Sequence, residues 1–87
     1  MAYNAEIQLD EGNTLELKGG PLRAYLKVLH NGEPVGKLVF LLSKGKFEKE
    51  IAGNLVRMDH QRMRGTGHIK LVVKVNGEVV KESLITQ

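Results

Sequence analysis

Few side chains of this sequence could perform catalysis. Asp59 and His60 are adjacent, and neighbours in an extended chain point to opposite sides, so they do not form an acid–base pair. Ser43 and Ser83 lack the Gly-x-Ser-x-Gly elbow that activates a hydrolase serine. The sequence therefore predicts no catalytic residue and a protein that is not an enzyme.

Metal and cofactor sites would depend on three histidines. His30, His60 and His68, with Asp59 as a fourth ligand, match no recognised ligand spacing, and the sequence has no cysteine. The run 65–67, Gly-Thr-Gly, lacks the lysine and the following helix of a phosphate-binding loop. We therefore expect no metal and no cofactor.

A basic cluster between residues 57 and 70 is the strongest binding signal. Such a cluster could contact a phosphate backbone or an acidic protein surface. Arginine and methionine are common at protein interfaces, whereas the four aromatic residues of the chain offer little for base stacking. We therefore predict a protein partner, with nucleic acid as the alternative. The predicted binding residues are Arg57, Met58, His60, Arg62, Met63, Arg64, His68 and Lys70.

Length and charge limit the range of functions. The 87 residues allow one domain, residues 1–87, and no run reaches the ~18–20 apolar residues of a membrane span. The N-terminus does not resemble a signal peptide, so we expect cytoplasmic synthesis. The net charge of +3 combines −3 in residues 1–20 with +6 in residues 21–87. Such asymmetry is either ordinary surface charge or a basis for head-to-tail assembly of copies of the chain.

The elements that must position these residues are strands. Apolar and polar residues alternate with period two through residues 3–9, 14–18, 22–28 and 69–75. Asn-Gly pairs at 31–32 and 76–77 predict hairpin turns, and we interpret the repeated Asn-Gly-Glu-x-Val motif as turn chemistry. Residues 35–42 predict a central strand covered on both faces, and the polar residues 56–67 predict an irregular loop.

Two segments leave the pattern ambiguous. In residues 46–55, Phe47, Ile51 and Leu55 have helical spacing, yet the surrounding strands favour a strand. In the last hairpin, a two-residue turn would place Glu82 opposite Leu71 on the buried face. A β-bulge or an edge position would resolve this conflict.

The segment 22–42 carries a family resemblance. Its alternating strand, Asn-Gly-Glu-Pro-Val-Gly corner and apolar strand, together with the closing hairpin of 67–77, resemble bacterial and phage immunoglobulin-like domains. The resemblance implies a small all-β immunoglobulin-like sandwich of about seven antiparallel strands; a small β-barrel is the alternative. It also implies a structural or adhesive role.

The expected function follows from this resemblance and the basic cluster. We expect a non-enzymatic structural or interaction module that docks on or coats a larger assembly, such as a phage virion. Its partner would be another protein or a second copy of the chain, and no membrane is expected. An additional route to a neighbour would be strand addition by residues 2–10. The alternative is a small basic regulator or inhibitor that binds nucleic acid or a nucleic-acid enzyme.

Overall fold

Eight antiparallel strands make up the described part of the chain. The computed structural model describes residues 3–19, 25–40 and 44–85. The first four strands form one sheet in the order β1-β2-β3-β4, and the last four form a second sheet in the order β5-β6-β7-β8. The strands are β1 (Tyr3–Asp10), β2 (Asn13–Gly19), β3 (Tyr25–His30), β4 (Glu33–Val39), β5 (Lys44–Ile51), β6 (Asn54–Arg62), β7 (Ile69–Val75) and β8 (Glu78–Ile85).

The two sheets pack into a sandwich around one apolar layer. Side chains from both sheets are buried in a single cluster, and each strand contributes them at alternate positions. The prediction of an all-β sandwich is therefore confirmed, with eight described strands instead of about seven. The described strands form two separate sheets, so the alternative prediction of a small β-barrel is wrong. The buried apolar residues are Ile7, Leu15, Leu17, Leu26, Val28, Leu38, Phe40, Ile51, Val56, Met58, Ile69, Leu71, Val73 and Ile85.

Contacts at both open sides hold the sheets together. On one side, the Lys49 ammonium donates a hydrogen bond to the Val35 carbonyl (2.9 Å), and the Phe47 ring lies against the backbone of Gly36. On the other side, the hydroxyl groups of Tyr3 and Ser83 form a hydrogen bond of 2.8 Å. The edge strands β4 and β5 thus lie at one side, and β1 and β8 at the other.

The strand order differs from two of the predictions. β4 is last in the strand order and therefore an edge strand and not a central one, and only one of its faces is covered, since Leu38 is buried while Val39 faces solvent. Residues 41–42 of the predicted central strand, and Leu22 and Ala24 of the preceding one, lie outside the described residues. Each sheet is a simple meander, whereas immunoglobulin domains exchange strands between sheets in Greek-key connections.

Local predictions at two hairpins are confirmed. Residues 46–51 belong to strand β5, which ends in a turn with positive φ at Ala52 (51°) and Gly53 (80°). In the last hairpin the register shifts between Val73 and Lys74, so that Leu71 pairs with Ser83. This bulge moves Glu82 opposite Val72 on the solvent face, as the burial conflict required.

Both sheets are built on the same plan. The repeated Asn-Gly-Glu-x-Val motif occupies equivalent hairpins. In each hairpin the pairing register shifts at the same place, immediately after Val28 in one and Val73 in the other, three residues before the asparagine. Asn31 Oδ1 accepts a hydrogen bond from the Thr14 N–H (2.9 Å), and Asn76 Oδ1 accepts one from the Leu55 N–H (3.0 Å). The motif therefore has more than turn chemistry, since in each sheet it fastens the second hairpin to the first.

This plan gives the molecule two different ends. The four short turns at 11–12, 31–32, 52–53 and 76–77 lie at one end, which we call the turn end. The end of β2 and the start of β3, the end of β4 and the start of β5, and the loop of residues 63–68 lie at the other, the loop end. An eight-residue strand spans ~27 Å, so the strands run along the longest dimension of the 39 × 24 × 16 Å molecule.

Candidate functional site

Two of the eight predicted binding residues lie inside the protein. Met58 is fully buried, and His60 is 4% exposed, because β6 continues to Arg62 and directs both side chains at the opposite sheet. The His60 ring meets the Phe40 ring edge-on, with 4.9 Å between centroids, and lies against Gly45. The predicted loop over 56–67 is therefore wrong for residues 56–62, and neither side chain is a surface contact.

Arg57 reaches the surface, but its guanidinium is ion-paired with acidic neighbours. Its guanidinium donates two hydrogen bonds to the Asp59 carboxylate (3.0 and 3.3 Å) and lies 3.9 Å from Glu48. The hydrogen bonds to Asp59 raise the pKa of Arg57 above its usual value, and the charges of Asp59 and Glu48 raise it further. Arg57 is therefore an ion-paired residue of the outer face.

The short loop of residues 63–68 is ordered by backbone and arginine contacts. The Met63 N–H donates to the His68 carbonyl (2.7 Å), and the Gly67 N–H donates to the Met63 carbonyl (3.2 Å). The Arg62 guanidinium donates to the carbonyls of Phe40 (3.1 Å) and Gly67 (3.4 Å). Arg62 thus positions this loop, and the backbone carbonyl of half-buried His68 closes it.

The remaining predicted residues lie close to Lys44 of β5, which is not among the eight predicted binding residues. Pairing of β5 with β6 places Lys44 opposite Gln61, and pairing of β6 with β7 places Gln61 opposite Lys70. A groove of about 610 Å³ over β5–β7 includes all three, and a second of about 510 Å³ joins Lys44 and Gln61 to Met63 and Arg64. We call Lys44, Gln61, Met63, Arg64, Lys70 and the neighbouring Leu84 the loop-end patch.

The sequence contained a weak signal for this arrangement. Val56 and Met58 alternate with Arg57 and Asp59, which is the period of a half-buried strand. That alternation would have assigned 56–61 to a strand and His60 to its inner face. The proximity of Lys44 depends on the pairing of β5 with β6 and has no local signal.

Charge is segregated along the strands of the molecule. We divide the described residues into a turn half (6–16, 29–35, 48–57 and 74–80) and a loop half (the remainder). The turn half has eight acidic and three basic side chains, a formal charge of −5. The loop half has nine basic and two acidic side chains, a formal charge of +7. The two ends of the molecule are therefore oppositely charged, and the acidic end draws on both the acidic first segment and the basic remainder of the sequence.

Exposed apolar side chains lie in both halves. Leu55, Val79 and Val80 belong to the turn half, and Val79 is 52% exposed. Val39, Met63 and Leu84 belong to the loop half, and Leu84 is 57% exposed and paired with Lys70. Apolar side chains surrounded by charged residues are typical of the centres of protein interfaces.

A second basic feature crosses the outer face of the first sheet. Lys18 pairs with Lys27, and Lys27 pairs with Lys37, so three lysines lie side by side on β2, β3 and β4. The Lys37 ammonium lies 5.1 Å from the centroid of the Tyr25 ring. Like charges directly opposite on a sheet oppose pairing, so this lysine row lowers stability in return for a positive surface.

The free edges of both sheets are poor sites for strand addition. β1 pairs with β2 in its own sheet and has a bulge between Gln8 and Asp10. Pro34 removes a donor from β4, and Lys49 on β5 and Lys81 on β8 lie on the inner face opposite Val56 and Val73. Proline, bulges and inward lysines are the devices by which proteins block edge pairing. Contacts with partners are thus expected at the faces and ends.

Two features are absent from the described part of the chain. Its His, Asp and Glu side chains form no group of three or more that could hold a metal ion. It also contains no helix that is long and apolar enough to cross a membrane.

Comparisons with known proteins provide no relative from which a function could be transferred. The sequence matches no protein-family model, and no curated protein or solved structure matches the chain. The function must therefore be argued from the surfaces themselves.

Proposed function

We propose that this protein is a non-enzymatic structural module that docks on or coats a larger protein assembly, such as a phage virion, through its loop-end patch. The observation that carries the proposal is the charge of +7 in the loop half. Within that half, Lys44, Arg64 and Lys70 have no ion pair to a described residue, unlike Arg57. They are free to neutralise an acidic surface.

The composition of the patch supports a protein partner. Met63 and Leu84 are exposed beside these cations, and an apolar centre with a charged rim suits a protein surface. A single-stranded nucleic acid would in addition gain from rings on which its bases stack. The patch as defined contains no aromatic side chain.

Binding to a poly-glutamate peptide tests this proposal. The loop-end variant Lys44→Gln/Arg64→Gln/Lys70→Gln should bind the labelled peptide about tenfold more weakly in fluorescence anisotropy, because exposed ion pairs contribute ~0.2–1 kcal/mol each. A matched control, Lys18→Gln/Lys27→Gln/Lys37→Gln, removes the same charge from the other sheet and should bind like the wild type. Equal losses in both variants would show attraction by net charge alone and contradict the proposal.

Nucleic-acid binding is a second candidate because of the lysine row. Three lysines across neighbouring strands, with Tyr25 beside them, could follow a phosphate backbone and stack one base. The same two variants separate the candidates when oligothymidine is the probe. Loss of oligothymidine binding in the lysine-row variant, with retention in the loop-end variant, would favour this second function. Its affinity should fall steeply with salt concentration.

A further inference from the structure

We propose that copies of this chain associate head to tail, with the turn end of one copy docked on the loop-end patch of the next. The inference rests on the proposed function in using the same loop-end patch, and it assigns a role to the turn end. We define the turn-end patch as Glu33, Glu50, Leu55, Glu78, Val79 and Val80.

The two ends of the molecule are complementary in charge. The turn half carries −5 and the loop half +7, so like ends repel and opposite ends attract. In the turn-end patch, Glu33, Glu50 and Glu78 have no ion pair to a described residue. Three carboxylates at one end therefore match Lys44, Arg64 and Lys70 at the other.

Exposed apolar side chains at both ends support the same contact independently of charge. Leu55 lies opposite Glu50 across β5 and β6, and Val79 follows Glu78. At the other end, Leu84 lies opposite Lys70, and Met63 precedes Arg64. Each end thus presents large apolar side chains next to the charged groups that face the opposite end of another copy. Covering both sets removes apolar area from water.

Edge-to-edge strand pairing, another route to self-association, is hindered at the edge strands of both sheets. Pro34, Lys49 and Lys81 protect three sheet edges, and the bulge in β1 disturbs the fourth. An interface between two different ends is heterologous, so it repeats from copy to copy and produces an open filament or a closed ring. In such an array the loop-end patch of each copy is occupied by the next copy, so the array is itself the larger assembly on which each copy docks.

Two variants with one inactive end each provide the test. The turn-end variant is Glu33→Gln/Glu50→Gln/Glu78→Gln, and the loop-end variant is the one described above. All six side chains are exposed, so both variants should fold like the wild type. Size-exclusion chromatography with light scattering at low salt measures the mass of the wild type, of each variant and of an equimolar mixture of the two variants.

The expected pattern is specific to head-to-tail contact. The wild-type mass should rise with concentration above the 9.7 kDa of one chain and return to it at high salt. Each variant alone should stay monomeric. Their mixture should stop at a dimer, because the intact loop end of one variant binds the intact turn end of the other and both remaining ends are inactive.

Three results would overturn the inference. They are a wild type that stays monomeric at low salt, a variant that assembles like the wild type, and a mixture that forms no dimer. Poly-glutamate binding separates this failure from failure of the proposed function. A wild type that is monomeric yet binds poly-glutamate through Lys44, Arg64 and Lys70 would overturn self-association and leave the docking function standing.

Discussion

Replacing the two turn asparagines by glycine tests whether the two sheets share one plan. Asn31 makes two side-chain hydrogen bonds, to the Thr14 N–H (2.9 Å) and the Gly12 carbonyl (3.0 Å). Asn76 also makes two, to the Leu55 N–H (3.0 Å) and the Asn54 side chain (3.0 Å). The φ angles of the two asparagines, 49° and 52°, are also nearly equal. Equal contacts and equal backbones predict equal losses.

The expected magnitude follows from these contacts. Glycine keeps the positive φ without strain and removes both hydrogen bonds, and each bond contributes about 0.5–1.5 kcal/mol. Asn31→Gly and Asn76→Gly should therefore each lower the free energy of unfolding by about 1–3 kcal/mol. Alanine adds about 1–2 kcal/mol for the left-handed backbone, so both alanine variants should be less stable than the glycine variants.

Urea unfolding followed by far-UV circular dichroism measures these differences. Ala52, with φ of 51° and no side-chain hydrogen bond, is the control, and Ala52→Gly should be neutral or stabilising because it relieves strain at the same kind of turn. The reasoning is refuted if either glycine variant is as stable as the wild type. It is also refuted if one asparagine matters and the other does not, because the two hairpins would then not be equivalent.

Three further predictions concern packing, edges and pH. Gly45→Ala should lower the free energy of unfolding by about 1–3 kcal/mol, because the new methyl group would lie 2.6 Å from the His60 ring. In a His60→Ala background, thermal unfolding should show a smaller loss for the same change. An equal loss in both backgrounds contradicts this contact. Lys81→Val should expose an apolar edge and raise the mass in light scattering even at high salt, where end-to-end contacts are screened; an unchanged mass contradicts the protective role of this lysine. Hydrogen bonds from Asn13 and Asn54 lower the pKa of Asp10 below its ordinary 3.8, so its stabilising effect is complete above that value and is lost as the pH falls through the lowered pKa. The stability advantage of the wild type over Asp10→Asn should accordingly shrink below about pH 4 in acid-dependent urea titrations, and an advantage that grows there contradicts the assigned sign.

Much of the fold could be predicted because its signals are local. Alternation with period two placed Leu15, Leu17, Leu71 and Val73 on inner faces, where the structure buries them. The Asn-Gly pairs located two hairpins, and the conflict at Glu82 predicted the bulge that the last hairpin contains. Each of these signals lies within one strand or one turn, so it can be recognised from the sequence alone.

The candidate site was harder to predict because its parts are distant in sequence. Residues 56–62 looked like a loop, since histidine and glutamine weakened the alternation of Val56 and Met58. The burial of His60 depends on Gly45, whose missing side chain leaves room for the ring. The first sheet contains a comparable close approach, in which a methyl group added at Gly19 would lie 2.6 Å from the Leu26 side chain. Only strand pairing decides such matches.

The division between sequence and tertiary structure is clearest in the charges. By itself the sequence determined the class of fold, most inner faces, the hairpins and an acidic beginning followed by a basic remainder. The tertiary structure decided that the charges separate by end, because antiparallel pairing brings the four two-residue turns to one end and the opposite termini of the described strands to the other. Position along a strand, and not position along the chain, therefore sets the charge of each surface. Strand pairing is a long-range contact, which is why this polarity has no local signal.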